Sequence, residues 1–179
     1  MLYAFGFSRI AVVASDLYFV DPSPRPGQEG AEHGVRLEVR MLERPPIEGS
    51  IYAAQPIAID RPLWRFDLLE TVAGPVGSHD RTHHHPNFRA WEPGRRQFVE
   101  ELSADPLRWL TAKLSDLDAL LVEAGHDPAD VDPADAADLR DAAPEIVDAV
   151  GRLLARVRAG ELAPAPAAGE LAGARVGWL

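Results

Sequence analysis

The apolar residues of this chain change their period once, and that change narrows the folds open to it. In GVRLEVRMLER (34–44), Val35, Leu37, Val39 and Met41 alternate with Arg36, Glu38 and Arg40, the period-two pattern of a strand with one buried and one wet face. Beyond Asp105 the repeat lengthens. Leu107, Leu110, Leu114, Leu117 and Leu121 recur at spacings of three and four, the stripe of an amphipathic helix. Strand-like and helix-like periods occupy separate halves, which argues against a doubly wound parallel sheet, where the two alternate. The pattern predicts an α+β fold: an antiparallel β-sheet or partial barrel of four to five strands, then a C-terminal helical hairpin.

Taken in order, RIAVVASDLYFV (9–20) is rich in β-branched and aromatic residues and reads as a strand or a pair of short strands. DPSPRPGQEG (21–30) carries three prolines and two glycines, a long loop of the kind that lies near a binding site or packs on a partner. SIYAAQPIAI (50–59) reads as a further strand, with Pro56 implying an edge or a bulge. In RPLWRFDLLETV (61–72), Trp64, Phe66 and Leu68 share one face and Arg65 and Asp67 the other. That polar pair belongs to the surface or to a cross-strand contact, or, if the sheet curls, to the floor of a pocket. Glu70 shares a side with Trp64, which makes it a rim residue or a buried acid with a partner. Asp105-Pro106 starts a helix that Gly125 ends. Asp132-Pro133 starts a second, which Pro144 breaks or kinks and whose seam is Ile146, Val150, Leu153 and Val157. Residues 1–160 are thus expected to form a single α+β domain: strands over 1–76, a His/Arg-rich loop region over 77–104, helices over 105–160. The Ala/Pro/Gly-rich tail, 161–179, has linker composition, with Trp178-Leu179 as its expected anchor.

Charge and cysteine content remove several functions. The chain has no cysteine, which excludes disulfides, thiolate metal sites and cysteine nucleophiles. A net charge of −10 suits neither nucleic acid nor an anionic membrane, since phosphate contacts supply most such affinity. The apolar N-terminal stretch is interrupted by Arg9 and lacks a basic lead-in, so a cytoplasmic protein without a signal peptide is expected. There is no phosphate-cradling glycine loop or dinucleotide fingerprint.

Against this acidic background, GSHDRTHHHPNFRAWEPGRR (77–96) inverts the charge. It holds four of the six histidines and four arginines against two acids. On an extended segment, His83-x-His85 projects both imidazoles to one face. With His79 they make a candidate metal set, and Asp80 or Glu92 is a fourth ligand or general base. Three or four N/O ligands without sulfur suit Zn, Fe, Mn or Ni, and an open coordination position would make the site catalytic. Arg81, Arg89, Arg95 and Arg96 are the candidate contacts to a small anionic ligand, through bidentate forks. Trp91-Glu92-Pro93-Gly94 reads as a turn with a core tryptophan. Ser78, His79 and Asp80 form no relay, because adjacent side chains cannot meet. The aspartates of 127–135 are helix caps, since no register gives a calcium loop.

Gly77, five residues and then His83-x-His85 resembles the opening of the first cupin motif. That resemblance implies a small antiparallel barrel whose histidines bind metal, with oxygenase, isomerase or binding functions. It covers about ten residues; the glutamate of the pattern would fall at Arg89 or Ala90, and no second motif follows. The function expected from the residues themselves is a metal-dependent enzyme or metal-binding protein acting on a small anionic molecule. The alternative is a non-enzymatic homodimeric assembly protein that uses the His/Arg stretch as a contact surface.

Overall fold

Five strands follow one another across a single sheet in the order they follow in sequence. The structure, a computed structural model, describes residues 1–166. The strands are β1 (Leu2–Gly6), β2 (Ile10–Val20), β3 (Ala31–Glu43), β4 (Ala58–Thr71) and β5 (His83–His85), each antiparallel to its neighbour. The sheet does not close into a barrel. A small hairpin, β6 (Phe88–Arg89) with β7 (Glu92–Pro93), follows, and then helices α1 (Glu100–Ala104), α2 (Pro106–Leu114), α3 (Leu117–Glu123) and α4 (Pro133–Arg158). The expected α+β class is therefore the observed one. None of the helices among the described residues is long and apolar enough to cross a membrane.

The period-two pattern gives the sheet two unlike faces. Val12, Val39 and Trp64 occupy one cross-strand row and Ala14, Leu37 and Phe66 the next. All six are fully buried under the helices. Burial of each large apolar side chain stabilises by about 1.5–3 kcal/mol, so this face anchors the fold. Trp109 of α2 stacks on Trp64 at 6.0 Å and on Phe66 at 6.1 Å, while α4 lies along β2 and β3. Gly34 sits where β3 and β4 approach most closely: a Cβ there would lie 2.0 Å from the Leu68 carbonyl oxygen.

Local chemistry explains where the elements depart from expectation. Residues 50–57 are not a strand, and β4 begins only at Ala58. The prolines on either side lack donors, and Ile51 and Tyr52 project into solvent. β4 then runs through Pro62 by a register irregularity opposite Arg40, the kind of bulge that accommodates proline. The helix expected over 106–125 divides at Ser115-Asp116. There the Asp116 side chain accepts from the Ala119 N–H at 3.1 Å and starts α3. Pro144 lies within α4, which continues past it to Arg158. Strand β1 was not foreseen as a separate element. The proposed anchor Trp178-Leu179 lies outside the described residues.

Asp135 does more than cap. Fully buried, it closes a capping box with Asp132 at the start of α4. It also accepts the Ser8 N–H at 2.7 Å and the Arg9 N–H at 3.1 Å from the β1–β2 turn. One carboxylate thereby ties the first hairpin to the last helix. Asp135→Ala would strand these part-buried donors, at about 1 kcal/mol or more each. Urea unfolding should show a loss of about 3 kcal/mol or more, with Asp135→Asn losing less. A loss below about 1 kcal/mol in the alanine variant would contradict this tether.

Candidate metal centre

The second face of the sheet is polar and nearly as dry as the first. Arg36 of β3, Asp67 of β4 and His83 of β5 form one rung; Glu38, Arg65 and His85 form the next. Asp67, His83, His85 and Glu38 are all buried. The β6–β7 hairpin stands over this face and leaves a cavity of about 660 Å³, with Trp91 and Glu92 on the hairpin side.

Three groups converge at the end of that cavity. The Nε2 atoms of His83 and His85 are 3.2 Å apart, and Asp67 Oδ2 lies 3.4 Å from the first and 3.6 Å from the second. Each imidazole is turned by its other nitrogen: His83 Nδ1 donates to the Arg81 carbonyl and His85 Nδ1 to the Gly94 carbonyl, both at 2.7 Å. A carbonyl only accepts, so each Nδ1 carries a proton, and an imidazole with no second proton presents a lone pair at Nε2. Two such rings would leave two lone pairs and a carboxylate oxygen facing one point with no donor between them. A proton or a cation has to sit there. The triangle suits a metal ion, because ligand atoms bonded at about 2.1 Å lie about 3.4 Å apart at tetrahedral angles. The Nδ1–carbonyl contacts are the supports that orient metal-ligating histidines.

Asp67 is held from behind. Arg36 donates from Nε to Oδ1 at 2.7 Å and from a terminal nitrogen to Oδ2 at 3.2 Å. Burial alone would raise the Asp67 carboxyl, but the Arg36 guanidinium, and the imidazoles wherever an Nε2 proton donates to it, outweigh burial and hold it well below the usual carboxylate range. Arg65 pairs with Glu38 at 2.7 Å, and Arg40 reaches the other oxygen of Glu38 at 3.3 Å. Arg96 pairs with Glu32 at 3.1 Å. Of the three carboxylates lining the cavity, Glu92 alone has no ion pair among the described residues.

The structure separates the sequence-derived candidates into groups. His83 and His85 meet at the centre; Glu92 and Arg96 line the cavity. His79 does not join them. It sits in a left-handed backbone conformation with Nε2 3.2 Å from Arg158, beside the buried Glu70 that Arg158 pairs with. Asp80 is occupied at the β4–β5 loop, accepting from the Thr71 N–H at 3.0 Å and the Ser78 hydroxyl at 2.7 Å. Arg81 ties down the 21–30 loop through the Gly27 and Glu29 carbonyls. Arg89 and Arg95 are exposed and absent from the cavity lining. Trp91 is 57% exposed and not a core residue, because its hairpin folds over the polar face. Asp67 completes the cluster, and the hairpin turn signals it: pairing residues symmetrically about Pro75 sets Asp67 opposite His83 and Arg65 opposite His85.

His84 turns the other way. Its ring lies 5.0 Å from Trp109 and 6.1 Å from Trp64, and its Nδ1 has no partner among the described residues. Burial lowers its pKa to about 4. Between about 6.5, the unperturbed value, and about 4 the unfolded chain takes up a proton that the folded chain refuses. The stability associated with neutral His84 is therefore fully present above that window and lost as pH falls through it. Urea midpoints across the window should fall more steeply for the native protein than for His84→Phe; equal slopes would rule this out.

The chain matches no family model, no curated protein and no solved structure.

Proposed function

We propose that the protein holds a divalent transition metal on Asp67, His83 and His85 and presents it to a small anionic molecule in the arginine-lined cavity. The observation that carries this reading is the pair of Nε2 atoms, both rings oriented by Nδ1–carbonyl hydrogen bonds, that converge with Asp67 on one point. Two imidazoles and a carboxylate, without sulfur, suit Zn, Fe, Mn or Ni and leave coordination positions for water or substrate. Converging nitrogens in a cavity favour this over a contact surface, on which the rings would splay into solvent. Such an ion would polarise an oxygen of the bound anion. Glu92, the carboxylate without an ion pair, is the group available to take or give a proton.

Untagged protein equilibrated with each of the four metals in turn, then desalted, should retain about one equivalent of at least one of them. His83→Phe and Asp67→Asn should each cut that to below about a tenth, with unchanged far-UV circular dichroism in the histidine variant. Retention by the native protein of less than about a tenth of an equivalent of every metal would overturn the reading.

A further inference from the structure

The cavity beyond the three ligands has a composition of its own. Three of the lining arginines each lie over an aromatic ring: Arg40 over Trp91 at 5.2 Å, Arg65 over Phe88 at 5.0 Å and Arg96 over Phe19 at 5.6 Å. Of these rings, Trp91 and Phe19 also line the cavity. Each guanidinium has five N–H donors and spends only some of them on protein partners. Arg96, for example, uses one terminal nitrogen on Glu32. Four arginines line the cavity against three carboxylates, and the fourth arginine, Arg96, is paired with Glu32 just outside the lining.

The three ligands meet little of an ion's charge. Asp67 is already neutralised by Arg36, and His83 and His85 are neutral ligands. The lining carboxylate without an ion pair among the described residues, Glu92, stands on the hairpin side of the cavity. A divalent ion there keeps nearly its full charge in a dry site, which is costly unless an anion joins it. A carboxylate supplies one negative charge at a point. A phosphate monoester supplies nearly two, together with several oxygens that can meet both the ion and guanidinium forks. The aromatic rim answers to the rest of the molecule. Trp91 lines the cavity, is 57% exposed and has the Arg40 guanidinium over its ring, an indole on which a planar ring can stack beside or in place of Arg40. The volume, about 660 Å³, lies within the range of pockets that enclose whole small ligands.

We infer that the ligand is a nucleoside monophosphate or a closely similar aromatic phosphomonoester. Its phosphate lies between the metal and the cavity arginines, and its base lies against Trp91. This rests on the metal reading above. Calorimetry on full-length protein loaded with Mn(II), its metal content measured on the same sample, tests the two separately. Adenosine and cytidine 5′-monophosphates are titrated beside adenosine, inorganic phosphate and 2-oxoglutarate. At least one nucleotide should bind ten-fold or more tighter than phosphate and than adenosine. Stacking is worth about ten-fold, so Trp91→Ala should remove most of the advantage over phosphate and Trp91→Phe should restore much of it. Since Trp91 is largely exposed, these changes spare the fold. Protein that holds no metal overturns the metal reading. Protein that holds metal but prefers 2-oxoglutarate, or binds nucleotide no better than phosphate, overturns this inference alone.

Discussion

Asp67 is a carboxylate with almost no access to water, and a buried charge must be matched by its neighbours or not exist. The matching groups come from strands on both sides. Arg36 arrives from β3 and the two imidazoles from β5, each through the cross-strand register. On β4 itself the cation on that face, Arg65, is spent on Glu38 of β3. The site therefore exists only when three strands are in register. That register is set on the opposite face, where Trp64, Phe66 and Leu68 lock into the helical core. A slip of one residue would drive Asp67 into that core, so the hydrophobic packing guards the chemistry as well as the fold.

The run His83-His84-His85 shows how one short strand serves both sides. Side chains alternate, so the outer two histidines face the cavity and the middle one enters the aromatic cluster of Trp64 and Trp109. All three are buried. An adventitious histidine tract on a loop would expose all three alike. The inequality lies in direction alone, and the backbone imposes it: β5 bonds to β4 on one side and His84 bridges to Gln97 on the other.

Much of this was legible from period and punctuation. Alternation located the two faces of β3 and β4, the change of period located the helices, and the acid-proline starts at Asp105 and Asp132 fall where α2 and α4 begin. The His-x-His spacing gave a shared face because strand geometry is local. What stayed hidden depended on contacts far apart in sequence. His79 and Asp80 looked equivalent to His83 until a loop conformation turned His79 to Glu70 and Arg158 and bound Asp80 to Thr71. Arginines counted as anion contacts differ in the same way: Arg81 is spent on loop carbonyls while Arg96 keeps donors toward the cavity. Composition counts charges, but only partners decide which remain available.

The polar face is costly to keep. Apolar residues of similar volume in place of Arg36, Glu38, Arg65 and Asp67 would fill the same space without desolvating four charges, and such exchanges often leave a protein as stable or more so. Four arginines are gathered along this face while the chain as a whole is strongly anionic. A surface meant only to be buried against another part of the protein would not need a cavity above it, nor two imidazoles whose Nε2 atoms confront one another. Arrangements that are locally unfavourable and globally well supported are where binding and catalysis reside. In this fold the conflict on the polar face lies at the open ends of two rungs, while the ion pairs of Arg36, Arg65 and Arg96 satisfy the charges around them.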